Sequence, residues 1–114
     1  MPPLRTSALL ALAGLGIACS SKPLPDDKLA YAGHWTGKGV DLTLTEGGRC
    51  SYHRVSDDGS VDVDAPIQRF DGDDFVVGLA FFNTTFDVTA PPHQQDGRWR
   101  MTVDGHELVR IDAP

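Results

Sequence analysis

Cysteine is scarce: the 114 residues hold Cys19 and Cys50 and no others, which excludes a framework of several disulfides. Positive charge is also short. Ten Lys and Arg stand against sixteen Asp and Glu, a net charge of -6 at pH 7, the wrong sign for side chains that wrap nucleic acid or coat an anionic bilayer. Long apolar runs are missing too. The longest, residues 8–18 (ALLALAGLGIA), would reach about 16 Å as a helix, roughly half the hydrocarbon thickness of a membrane. The length leaves room for one domain. Catalytic signatures are absent as well: no nucleophile elbow, phosphate loop, dinucleotide fingerprint or zinc-protease helix occurs. His34, His53, His93 and His106 fall in separate segments without ligand spacing, so no dedicated metal site is expected. The turns Asp57-Asp58-Gly59 and Asp71-Gly72-Asp73-Asp74 lack the ligand order and closing Glu of a calcium loop, and hairpin chemistry accounts for them. The chain therefore reads as no enzyme and carries no cofactor motif.

What is present begins with a processing segment. Arg5 supplies a positive flank, residues 8–18 an apolar stretch, and Leu15-Gly16-Ile17-Ala18-Cys19 resembles a bacterial lipobox. An ordinary secretory signal cleaved near Ala18 is the alternative. The lipobox likeness implies that Cys19 is the mature N-terminus and carries lipid, which holds the protein at a membrane without help from charge. By the same likeness to Gram-negative lipoproteins, Ser20 in place of Asp implies the outer membrane, facing the periplasm. With Cys19 lipidated, Cys50 has no intramolecular partner; a disulfide between residues 19 and 50 belongs to an unlipidated secreted form. Residues 19–32 are rich in Ser, Pro and charge and read as a flexible tether reaching about 45–50 Å when extended. The resulting division is a signal peptide over 1–18, a tether over 19–32 and a folded domain over 33–112.

In the folded part the apolar period is 2 and turn residues recur every ten or so positions, which predicts an all-β antiparallel meander. Val40, Leu42 and Leu44 alternate with Asp41, Thr43 and Thr45. A three-residue loop with Gly48 in the left-handed region then pairs Leu44 with Cys50, Leu42 with Tyr52 and Asp41 with His53. The turn at Asp57-Asp58-Gly59-Ser60 is expected to pair Tyr52 with Ala65 and His53 with Asp64; Arg54 then points inward, and either it sits at an open rim or a bulge corrects the phase. Asp41, His53 and Asp64 would then form an outward polar ladder. Pro66 ends regular pairing or marks an edge. Pro91-Pro92 opens a polar loop, and Asp104-Gly105 as a type I′ turn pairs Val103 with His106, Met101 with Leu108 and Trp99 with Arg110. Seven or eight strands result, and closing them into a barrel removes exposed edges.

Gly33-His34-Trp35 at the first strand and Arg110 in the last resemble the lipocalin-like (calycin) pattern. That likeness implies that Trp35, Trp99 and Arg110 close one barrel end. So short a barrel must fill its interior with Leu42, Leu44, Tyr52, Phe75, Trp99 and Met101, while Cys50 is expected to be buried as a small hydrophobe. The function expected from these features is a lipid-anchored, non-enzymatic module at the outer membrane that binds a small apolar ligand or a protein partner. The alternative is an inhibitor, since the anchored barrel and Gly-x-Trp opening also resemble small periplasmic barrels that block secreted metalloproteases, although the disulfide of those proteins is missing.

Overall fold

The computed structural model describes residues 21–79 and 81–111. The fold is all-β, as alternation predicts, and consists of one curled antiparallel sheet. Its nine strands are β1 (Gly33–Gly37), β2 (Val40–Leu44), β3 (Arg49–Ser56), β4 (Gly59–Asp71), β5 (Asp74–Leu79), β6 (Phe82–Phe86), β7 (Val88–Gln95), β8 (Arg98–Val103) and β9 (His106–Ile111). The order across the sheet is β6-β5-β4-β3-β2-β1-β9-β8-β7, in which every strand neighbours its sequence neighbours except at one cut. That cut lies between β6 and β7, the two edges, which Asp87 joins covalently. The meander thus curls into a half-barrel whose two edge strands follow each other in the chain without pairing to one another.

Two side-chain carboxylates secure the junction at Asp87. Asp104 Oδ1 accepts from Asp87 N at 2.8 Å, Asp104 N donates back to Asp87 O at 2.7 Å, and Asp74 Oδ1 accepts from Val88 N at 2.7 Å. These bonds satisfy backbone groups that a break in the ladder would otherwise leave unpaired. Both Asp residues sit where turn chemistry alone would place them, so their second task had no separate mark in the sequence.

The strand count exceeds the expected seven or eight, and Pro91-Pro92 explains part of the difference. They lie within β7 rather than in a loop. An edge strand needs no N–H donors on its outer side, and the register shifts at Val88/Ala90 and Ala90/His93 absorb the two prolines. The chain turns only afterwards, at Asp96-Gly97, with φ of 54° and 77°.

A larger correction concerns the segment read as tether. Residues 21–32 pack against the barrel: Leu24 and Tyr31 are buried, and Asp26–Tyr31 forms a 3-10 helix. Leu24 N donates to Glu46 O at 2.9 Å, Ser21 Oγ to Gly47 O at 2.8 Å and Tyr31 Oη to Asp73 O at 2.8 Å. Lys28 Nζ donates to Gly72 O at 2.9 Å and lies 5.4 Å from the Phe70 ring centroid. Composition suggested disorder because Leu24, Leu29 and Tyr31 are the few large apolar residues among Ser, Pro and charge, but Leu24 and Tyr31 find the open flank of the sheet. Cys19 and the signal segment lie outside the described residues, as does Asp112.

Side chains fill the interior. Trp35, Phe75, Phe86, Leu42, Leu44, Met101, Leu108, Val77, Val103 and Cys50 are essentially inaccessible. Phe75 stacks on Phe86 with centroids 5.0 Å apart, and Tyr52 meets Phe86 edge-on at 5.0 Å. Among the described residues, these buried side chains occupy the axis of the curled sheet.

Burial also sets the ionisation of the core. The Cys50 thiol is pushed up to about 12 by burial, with the Asp64 charge adding and Arg49 opposing. The Tyr31 hydroxyl is pushed up to about 12, again by burial first and then by Asp73, Asp74 and Asp27. Unfolding returns both groups to their ordinary values of 9.0 and 10.0. Between those values and about 12 the unfolded chain holds fewer protons than the folded one, so stability falls as pH rises. The contribution is whole below pH 9. The urea midpoint should therefore hold from about pH 7 to 9 and drop by about pH 10.5; a flat midpoint across that range would contradict the burial of both groups.

Candidate functional site

The residues expected to close one barrel end are brought together. Trp35 is fully buried at the centre of β1, and its Nε1 donates to Tyr31 O at 2.9 Å. The Arg110 guanidinium lies 5.9 Å from the Trp35 ring centroid and 5.1 Å from that of Trp99, so the cation sits between two indoles. Gly33 makes this possible. Its φ is 140°, and a Cβ there would come within 2.5 Å of Arg110 Cδ, so only glycine lets the arginine stem cross β1. Trp99 is half-buried, with its outer face toward Gln94 and Arg98.

The polar ladder is rearranged. Asp41 stands opposite His53 in the β2–β3 register, as the three-residue loop predicts. Its carboxylate, however, binds His34 Nε2 at 2.8 Å. On the other side His53 faces Asp62, and its Nδ1 contacts the Asp62 carboxylate. Asp64, the expected partner, stands opposite Ser51 and binds Arg49 Nη2 at 3.1 Å. The cause is the turn. Ser56 pairs with Gly59, leaving Asp57-Asp58 as a two-residue loop in place of the four residues expected, so β4 is shifted by two positions. A shift of two preserves which residues face outward and changes only their opposite numbers. All three ion pairs are exposed, and each contributes at most about 1 kcal/mol. They are a solvated ladder. Among the described residues no three His, Cys, Asp or Glu side chains converge as metal ligands would.

An apolar cleft that could hold another molecule lies elsewhere, on the barrel wall. β4 is thirteen residues long and changes partner midway: Arg49 to Ser56 of β3 pair with it as far as Pro66, and β5 pairs with it from Ile67 to Asp71. After Val77 meets Ile67, β5 leaves β4, so Gly78 and Leu79 pair with β6 alone. The wall splits there. The opening is a cleft of about 400 Å³ lined by Val61, Val63, Ala65, Val77, Leu79 and Phe82, with Asp62, Asp64, Gly78 and Thr84 completing it.

A second cleft of about 320 Å³ adjoins it at the barrel mouth, where Tyr52, Arg54, Phe86, Asp104 and His106 surround the shared residues Val61, Val63 and Thr84. Arg54 is at this rim, one of the two placements the expected register left open, and the β3–β4 pairing runs past it without a bulge. Burial raises the Tyr52 hydroxyl above its ordinary range despite the neighbouring Arg54, so it remains a hydrogen-bond donor at the foot of the mouth. The combined trough is apolar along its floor and polar at its ends. Such a lining can hold an apolar body with a polar terminus.

Val61 and Val63 lie on the face shared with Cys50 and Tyr52, since Val63 stands opposite Tyr52 and Val61 opposite Arg54, yet Val61 is exposed and Val63 half-buried because β5 has parted from β4. One sign of this was legible. Among the described residues, the β5–β6 hairpin is the one whose tip presents large apolar side chains, Leu79, Phe81 and Phe82, with Gly78 just before them. Comparison with protein families, with curated proteins and with solved structures found no match to the chain.

Proposed function

We propose that this protein is a lipid-anchored, non-enzymatic lipoprotein of the bacterial outer membrane, facing the periplasm, whose β-barrel binds an apolar ligand in the trough beside β4. The anchor is supported by Arg5, the apolar residues 8–18 and the lipobox-like sequence ending at Cys19. The observation that carries the binding reading is the cleft of about 400 Å³, whose walls are mainly Val, Leu and Phe side chains and whose volume suits a small apolar molecule. The cation between Trp35 and Trp99, together with Gly33, supports grouping the barrel with the calycins. In this protein the ligand would lie along the wall, since the axis is filled.

Titration with a fluorescent fatty-acid analogue tests the binding reading. Saturable binding is expected, and Val63→Asp should weaken it about tenfold by placing a charge in the apolar floor, while the exposed Thr89→Asp leaves it unchanged. A signal that never saturates, or one indifferent to Val63→Asp, would remove the cleft as a binding site.

A further inference from the structure

We infer that the β5–β6 tip, carrying Leu79, Phe81 and Phe82, is a membrane-contact element that seats the barrel on the bilayer beside its own lipid anchor; the inference builds on the lipid anchor proposed above. Phe81 is 99% exposed, Phe82 76% and Leu79 56%. Each of the six other hairpin turns has a charged residue and a glycine in or beside it, as at Lys38-Gly39, Asp96-Gly97 and Asp104-Gly105. A turn that presents two phenylalanines to water is costly unless something apolar covers it. Folding does not cover these rings, for the core is already complete without them.

The position of the N-terminal segment decides what does. Ser21 and Lys22 share a surface cleft with Pro66, Ile67, Gly78 and Leu79, so the chain leaves the described structure alongside the base of this tip. Ser21 is held there through its bond to Gly47 O at 2.8 Å. Cys19 is two residues earlier, within about 7 Å of Ser21 even if the chain is fully extended. A tether of fourteen residues would let the barrel float tens of ångströms from the membrane; two residues cannot. The acyl chains of Cys19 therefore enter the bilayer next to Leu79, and the exposed rings meet the same surface. Docking by two elements also resolves a shortage, since the acidic chain has no excess of positive charge with which to hold the headgroups. The trough beside β4 shares Leu79 and Phe82 with the tip and would open toward the membrane.

The test uses the mature acylated protein in vesicles of phosphatidylethanolamine and phosphatidylglycerol, with or without acyl-chain-brominated lipid, and intact-mass analysis of each sample. Phe81→Trp should gain quenching by brominated lipid well beyond that of the wild type, whose Trp35 and Trp99 give a constant background. An acyl adduct by mass with no added quenching in Phe81→Trp would overturn the tip and leave the anchor standing. If no adduct is found, the anchor falls by itself, and flotation of the unlipidated chain decides the tip: binding to the same vesicles that drops on the order of tenfold in Phe81→Asp with Phe82→Asp supports it, and no binding overturns it. A dimer in lipid-free solution that Phe81→Asp dissolves would also overturn it, in favour of a second copy as the covering surface.

Discussion

Trp35→Ala is expected to remove about 3–5 kcal/mol of stability, the usual cost of emptying a fully buried indole site. Small domains have roughly 5–15 kcal/mol in all, so the variant should be close to unfolding at physiological temperature. Three losses coincide. The ring is wholly enclosed, its Nε1 is the donor for Tyr31 O, and its face is one side of the Arg110 sandwich. Trp35→Phe separates them: it restores most of the apolar contact but leaves the Tyr31 carbonyl without its donor, a cost of about 1–3 kcal/mol. Arg110→Ala should cost about 0.5–2 kcal/mol, because Trp99 is already half in water. Urea unfolding followed by circular dichroism orders the series. A Trp35→Ala unfolding free energy within about 1 kcal/mol of the wild type would mean that this end of the barrel is not sealed as described.

The second large effect is expected from Gly48→Ala. Gly48 has φ of 93°, where a side chain costs about 1–2 kcal/mol by itself. A Cβ there would also overlap the Lys22 carbonyl, and backbone cannot yield as a flexible side chain can. The escape is for residues 21–32 to leave the barrel, which uncovers both Leu24 and Tyr31 and costs a further 1.5–3 kcal/mol or so for Leu24 alone. The resulting state should keep the sheet and lose the N-terminal packing. Limited trypsin digestion reads this directly, since the Lys28–Leu29 bond is held within the 3-10 helix. Cleavage there should accelerate at least about tenfold, and an unchanged rate would show that the segment is not seated against Gly48.

The contrast between the two substitutions reflects how unevenly the structure was written in the sequence. The strand faces were legible wherever alternation was clean: Leu42, Leu44, Cys50 and Tyr52 point inward and Asp41 and His53 outward because a period of 2 admits no other arrangement once one face is buried. The Asp104-Gly105 and Gly48 turns were legible for a related reason, since left-handed backbone is restricted to a few residue types. Those two registers placed Leu42 opposite Tyr52 and Met101 opposite Leu108.

Other features were decided between segments distant in the chain. The length of the Asp57-Asp58 loop is not encoded by parity, because a slip of two residues keeps every face and exchanges only Asp64 for Asp62 opposite His53. The trough exists because β5 parts from β4 after Ile67, and nothing local to Val61 or Val63 could announce a neighbour's departure. Residues 21–32 have the composition of a linker and become part of the fold only because Glu46, Gly47 and Asp73 offer carbonyl acceptors and the sheet offers a flank for Leu24 and Tyr31. By itself the sequence determined class, strand faces and turn positions, which follow from backbone periodicity and from the few residues that tolerate each turn. Which strand stands beside which residue, where the wall opens and where the chain leaves the barrel were settled by tertiary packing, because each depends on surfaces that exist only after the sheet has curled.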